Sequence, residues 1–110
     1  MCGLAGLVEM SGLDRAAAEQ RMRRALKRLA PRGPDDEGVW ADRHCLLGHR
    51  RLAIVDLSPG GAQPMTRGAF TAVYNGMIYN FRALRRELEG LGERFVSQSD
   101  TEVLLAGWAH

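Results

Sequence analysis

The chain has 110 residues, 45% of them hydrophobic and 25% charged, with a formal net charge of +2. That length supports one domain with a modest core, and the composition is that of a globular chain, which excludes a disordered segment and a strong polyelectrolyte partner such as nucleic acid. No apolar run approaches the about 20 residues that span a bilayer, and no basic start leads into an apolar stretch, so no membrane association is expected. Two cysteines, Cys2 and Cys45, make no disulfide framework, and a reduced, cytoplasmic setting is the simpler expectation.

Cys2 stands directly after Met1. Trimming of Met1 would leave one residue carrying both a thiol and a free α-amine. Such an amine has a reference pKa of roughly 7.7–8.0, so a usable fraction is neutral near pH 7 and can take a proton, directly or through one water. Nucleophile and base then arrive together, as they do in an N-terminal threonine. A small apolar cysteine opening a buried strand is the alternative that Cys2 alone leaves open.

Gly3 to Met10 is short, apolar and bounded by Ser11-Gly12, which predicts a strand. From Asp14 to about Ala30 the period turns helical, with Met22, Ala25, Leu26 and Leu29 on one face and Pro31 and Gly33 as the stop. The other face carries Arg15, Arg21, Arg23, Arg24, Lys27 and Arg28. No aromatic side chains interleave with them, so a solvated face explains them better than a nucleic-acid surface. The polar loop Arg32 to Gly38 leads to three strand-like pieces, Val39-Trp40, Cys45 to Leu47 and Leu52 to Val55. A turn-rich loop, Leu57 to Pro64, precedes a further strand expected over Ala69 to Tyr74, and Asn75-Gly76 is a strong turn dipeptide.

Asn80 is placed to cap a second helix with Phe81, Leu84, Leu88 and Leu91 on its apolar face and Gly90 and Gly92 at its end. Ser99-Asp100-Thr101-Glu102 reads as a capping box before Val103-Leu104-Leu105. That apolar helix meets no stop signal before His110, so the sequence reads as part of a longer domain or as a piece completed by another polypeptide. Strands clustered between helices with short connections predict an α+β fold over a doubly wound parallel sheet. Cys2, His44, Cys45, His49 and His110 lack zinc-type spacing, and no metal site is expected.

Four pieces stand in a fixed order: Met1-Cys2-Gly3, Arg32-Gly33-Pro34-Asp35, His49 to Asp56, and Tyr74-Asn75-Gly76-Met77-Ile78-Tyr79-Asn80, with Ser99 to Glu102 behind them. Together they resemble the N-terminal glutaminase domain of glutamine-hydrolysing asparagine synthetases, class II glutamine amidotransferases of the N-terminal-nucleophile (Ntn) hydrolase superfamily. The resemblance spans nearly the whole chain but only the first part of that domain. It implies the N-terminal part of an Ntn-hydrolase αββα sandwich, with residues 1–110 a partial glutaminase domain and the synthetase domain absent.

By that resemblance, Cys2 attacks the side-chain amide of glutamine and forms a thioester. Asn75, through its side chain, and Gly76, through its N–H, supply the oxyanion hole. Arg51 holds the substrate carboxylate as a planar two-pronged donor. Ile54 and Val55 make main-chain contacts to substrate, with side chains expected in the core, while the neighbouring Arg50 is expected at the surface. Asp100 pairs with the substrate ammonium, and helix-start electrostatics is its alternative role.

The family motif reads Asn-Gly-Glu-Ile-Tyr-Asn, and Met77 stands where the glutamate would bind the same ammonium. The loss of one charge-assisted hydrogen bond, worth about 1.5–3 kcal/mol, would weaken glutamine binding tenfold or more. The implied partners are glutamine and a synthetase domain or subunit, with a homodimer possible for the complete protein. ATP and magnesium would belong to that synthetase domain and no cofactor to this segment. Two other readings stay open: the glutaminase part of another asparagine synthetase-like amidotransferase, and a degenerate, non-catalytic binding module.

Overall fold

Small residues alternate with larger ones along β1 (Gly3–Val8), so one face of the strand lies close to a helix while Leu4 and Val8 point away from it. In the computed structural model, which describes residues 2–110, that helix is α1 (Arg15–Leu29). Asp14 caps it by accepting from the Ala17 N–H at 3.2 Å, and Lys27 and Arg28 in the last turn complement the helix dipole. Ala18, Met22 and Leu26 are buried against Leu46, with Ala5, Leu7, Val39 and Ala41 packed around them. The helical period read from the sequence thus seats its apolar face on the sheet.

The sheet is antiparallel throughout. β3 (Cys45–Arg51) lies between β1 and β2 (Asp36–Ala41), with Gly3 opposite Arg50 and Gly38 opposite His49. α1 covers one face. On the other, Leu4 and Val8 remain 44% and 65% exposed. The expected strand over Leu52 to Val55 is absent: β3 stops at Arg51 and the chain turns into a loop. In that loop the Leu52 N–H donates to the Cys2 Sγ and the Ala53 N–H to the Asp35 carboxylate, so side chains replace ladder partners. Ile54 is 53% exposed, which corrects its expected core placement, and Val55 is half-buried.

After the 3-10 turn Pro59–Gly61 comes the hairpin of β4 (Met65–Arg67) and β5 (Phe70–Ala72). β5 is shorter than the strand expected from Ala69 to Tyr74, because the Tyr74 N–H is taken by the Gln63 side chain instead of by a strand. α2 (Phe81–Gly90) and α3 (Asp100–Ala109) pack together through Leu88, Val103 and Ala106, with Phe81, Leu84 and Phe95 at the margin. Asn80 makes no side-chain cap; main-chain bonds from Phe81 to Ile78 and from Leu84 to Asn80 start the helix instead. Leu91, expected on the apolar face, lies beyond the last turn and is 66% exposed. These mixed elements and antiparallel pairings make the fold α+β. Among the described residues, no helix is long and apolar enough to cross a membrane.

The expected capping box forms only in part. Ser99 Oγ accepts from the Thr101 N–H at 3.1 Å, but Glu102 does not return to Ser99. Its carboxylate instead accepts from the Val96 and Ser97 N–H groups and the Ser97 hydroxyl, and pairs with Arg67 at 2.9 Å. Arg67 also pairs with Glu93 at 2.7 Å, so one guanidinium ties the hairpin to both ends of the α2–α3 connection. Burial opposes ionisation of Glu102, but the hydrogen bonds from Ser97 and Val96 and the Arg67 charge outweigh it and hold the carboxyl below its ordinary value.

A carboxyl lowered in the folded state gives stability that is present in full above its unfolded value, about 4.3, and is lost as pH falls through the lower folded value. Thermal melts across a pH series should therefore show Tm declining below about pH 4–5. Glu102→Gln should lower Tm at pH 7, at a cost of about 1–3 kcal/mol, and flatten the acid-side decline. An unchanged acid limb in that variant would show that the ionised carboxylate does not brace α3.

Candidate active site

The antiparallel register carries Cys2 to the end of β3. Gly3 faces Arg50, so the residue before it arrives beside Arg51 and Leu52. Leu52 then holds the thiol: its N–H donates to Cys2 Sγ at 3.2 Å, and the thiol can donate to its carbonyl at 3.6 Å. Arg32 braces the same residue from the other side, its Nε donating to the Cys2 carbonyl at 3.3 Å.

The Arg32-Gly33-Pro34-Asp35 piece is a clamp around that junction. Asp35 donates its N–H to the Arg51 carbonyl at 2.9 Å and accepts from the Ala53 N–H at 2.8 Å. Arg50, expected at the surface, is half-buried and reaches back to the Gly33 carbonyl at 2.9 Å. Gly33 is buried directly on the Arg50 backbone, and a Cβ there would overlap the Arg50 carbonyl. Only glycine lets the two backbones approach so closely.

Arg51 is 7% exposed, and its guanidinium donates to the Ser58 carbonyl at 2.7 Å and to the Asp56 carbonyl. These two bonds use part of its five-donor fork and leave donors for a ligand. Asp56 closes the loop, accepting from Ser58 and, at 2.8 Å, from the Gln98 N–H ahead of α3. The Ser58 hydroxyl first, then the Gln98 and Ser58 N–H groups and the Arg51 charge, hold the Asp56 carboxyl below its ordinary value against the effect of burial.

The segment after β5 supplies the opposite wall. His49, fully buried, hydrogen-bonds the Tyr74 carbonyl through Nε2 at 3.2 Å. Burial, with the Arg51 charge adding to it, lowers its pKa, so the ring is neutral near pH 7 and Nε2 carries the proton. Gln63 accepts from the Tyr74 N–H and donates to the Thr101 hydroxyl at 3.2 Å, joining this wall to α3. Asp100, 5% exposed, accepts from the Ile78 N–H at 3.0 Å. Asn75 Oδ1 is buried with no partner among the described residues, so the fold does not consume that amide oxygen.

These pieces enclose one pocket. It is lined by Cys2, Arg51, Ile54, Val55, Asn75, Gly76, Met77 and Asp100, together with Leu52, Asp56, Gly61, Gln63, Tyr74, Ser99 and Thr101. Every residue to which the resemblance gives a catalytic or glutamine-binding role therefore lies on it. Gln63 and the bracing bond of His49 were missed. Gln63 is a lone polar residue in a turn-rich loop and carried no pattern. His49 was legible only as part of the motif, because its partner is a main-chain carbonyl 25 residues away.

The whole chain, residues 1–110, matches the family model of the glutamine amidotransferase domain. It is 46% identical over 109 residues to asparagine synthetase [glutamine-hydrolyzing] 3 of Bacillus subtilis, across 96% of this chain and 17% of that protein. It is 37% identical over 110 residues to asparagine synthetase B [glutamine-hydrolyzing] of Escherichia coli, across 96% of this chain and 19% of the relative. Amidase chry2 of Gibberella zeae is 34% identical over 122 residues, across all of this chain and 18% of that protein. The chain belongs to the glutamine amidotransferase domain family, and it spans under a fifth of the length of these relatives.

Gly33→Ala should strain the clamp that seats Cys2. Overpacking of this kind costs typically about 1–3 kcal/mol. Denaturant melts should show that loss, whereas Gly90→Ala, where a Cβ meets nothing within 4 Å, should be neutral or stabilising. Equal stability of the Gly33→Ala protein would mean that the loop shifts freely off β3.

Proposed function

We propose that this chain forms the nucleophile-bearing part of a glutaminase domain that hydrolyses glutamine to glutamate and ammonia. The observation that carries the reading is the convergence of Cys2, Arg51, Asn75, Gly76 and Asp100, from four separate segments, on one pocket in a chain that matches the amidotransferase family along its whole length. Removal of Met1 gives Cys2 its α-amine, which takes the thiol proton as the sulfur attacks the amide carbon. Asn75 Nδ2 and the Gly76 N–H stabilise the developing oxyanion. Ammonia leaves with a proton returned from the amine. Water, activated by the same amine, then attacks the thioester, releasing glutamate and restoring the thiol.

Arg51 binds the substrate carboxylate with the donors that the 56–58 loop leaves available, and Asp100 binds the ammonium. In an Ntn-hydrolase sandwich a second sheet covers the first. The sheet face bearing Leu4, Val8, Leu47 and Trp40 opposite α1 supports that placement. The ammonia would serve ATP-dependent asparagine synthesis from aspartate, on a synthetase domain or subunit that these residues do not contain and to which ATP and magnesium would belong. The similarity to the glutamine-hydrolysing asparagine synthetases of Bacillus subtilis and Escherichia coli supports that acceptor.

A glutamine-analogue diazoketone should label Cys2 of the Met1-trimmed, full-length protein ahead of Cys45. Burial, with Asp42 adding to it, pushes the Cys45 thiol up and keeps it protonated. Cys2→Ala should abolish glutamine-dependent synthesis and spare ammonia-dependent synthesis. Retained Met1, or preferential labelling of Cys45, would overturn the N-terminal nucleophile.

Met77 favours a second reading, a degenerate module whose glutamine site is weakened, because a thioether replaces an acid in the pocket wall. Met77→Glu should lower the KM for glutamine about tenfold and change turnover less, since Cys2, Asn75 and Gly76 are untouched. Steady-state kinetics in which KM does not move would remove position 77 from the ammonium site.

A further inference from the structure

A substrate α-ammonium carries three N–H donors, and the pocket as described so far offers it one charged partner. Asp100 already spends Oδ2 on the Ile78 N–H at 3.0 Å, and the Met77 sulfur is a weak acceptor. Tyr74 lies on the same pocket wall, and no role has fallen to its hydroxyl. Its ring folds back over Gly76: a Cβ on Gly76 would lie 2.6 Å from the Tyr74 hydroxyl and 2.8 Å from Cζ. The phenol therefore crosses the residue read as an oxyanion donor, and a side chain at Gly76 would displace it.

The backbone that carries the ring is anchored at both ends, the N–H by Gln63 and the carbonyl by His49 at 3.2 Å. Burial, and then the nearby Asp100 charge, raise the pKa of the phenol, so it stays neutral and keeps its proton. A neutral phenol can donate to a carboxylate while its oxygen accepts from an ammonium.

We propose that the Tyr74 hydroxyl, set over Gly76 on the pocket that Asp100 also lines, is a substrate-binding group that recognises the α-ammonium of a free α-amino acid amide in the place left by Met77. The inference rests on the reading of this pocket as a glutamine site. The Tyr74 hydroxyl and the Asp100 carboxylate, both on the pocket lining, would each receive an ammonium N–H. The site thus selects free glutamine over amides without an α-amine by a phenol and one acid.

The test is calorimetric binding to the full-length protein carrying Cys2→Ala, which cannot turn substrate over. Tyr74→Phe in that background keeps the ring over Gly76 and should weaken glutamine binding about tenfold. Binding of 4-carbamoylbutanoate, which has the carboxylate and amide but no α-amine, should be the same with tyrosine or phenylalanine. Adding Met77→Glu to Tyr74→Phe should restore glutamine affinity to at least the level seen with tyrosine. Melting temperatures of the variants check that the fold is kept. Unchanged glutamine affinity in the Tyr74→Phe protein, or equal weakening for both ligands, overturns the role of Tyr74 and leaves the glutaminase reading standing. Failure of the Cys2→Ala protein to bind glutamine at millimolar concentration, with tyrosine in place, overturns the glutamine reading itself.

Discussion

The register between β1 and β3 is the constraint on which the rest of the site depends. With Gly3 opposite Arg50, Cys2 falls beside Arg51 and Leu52, and the thiol meets the Leu52 backbone. A slip of one residue would turn every β1 side chain to the wrong face and move the thiol off that contact. Two features hold the register. Ala5 and Leu7 must face α1 together with Leu46, and the Arg32-to-Asp35 clamp engages Cys2, Arg50, Arg51 and Ala53 at once. Apolar packing sets the alternation, and polar bonds at one end set the absolute position.

Around that junction, charged groups do structural work before any substrate is bound. Arg51 spans the 56–58 loop, Asp56 links that loop to the approach to α3, and Asp100 fixes the Ile78 N–H. Each leaves part of its hydrogen-bonding capacity to the pocket. Bonds to the fold lock the rotamers of these groups in advance, so less ordering remains to oppose ligand binding. These buried polar groups thus brace the fold and face the pocket at once. Asn75 Oδ1 and His49 Nδ1, buried without partners among the described residues, mark where the fold has left capacity unused.

Local patterns were legible where one contact dominated. The helix from Asp14 followed from its period and its stop, and α3 from the serine before it. The pattern misled where a backbone group found a partner distant in sequence. Leu52 to Val55 has strand composition but is a loop, because Cys2 and Asp35 take its N–H groups. Ser99-to-Glu102 reads as a capping box, yet the glutamate serves Val96, Ser97 and Arg67. Ile54 is hydrophobic and exposed because that same loop turns it outward.

The sequence by itself determined the residue types of the site and their order along the chain: a cysteine at position 2, an arginine between two strand-like pieces, an Asn-Gly pair and an acid at a helix start. Family membership is carried by that order. Tertiary structure alone decided which of these residues face one another and what holds them there. Gln63, His49 and the Tyr74 ring enter the site through contacts 11 to 38 residues apart in the chain or through the path of a backbone. Such contacts leave no periodic trace, because each joins a single side chain to one distant group, whereas helices and strands repeat their signal every few residues.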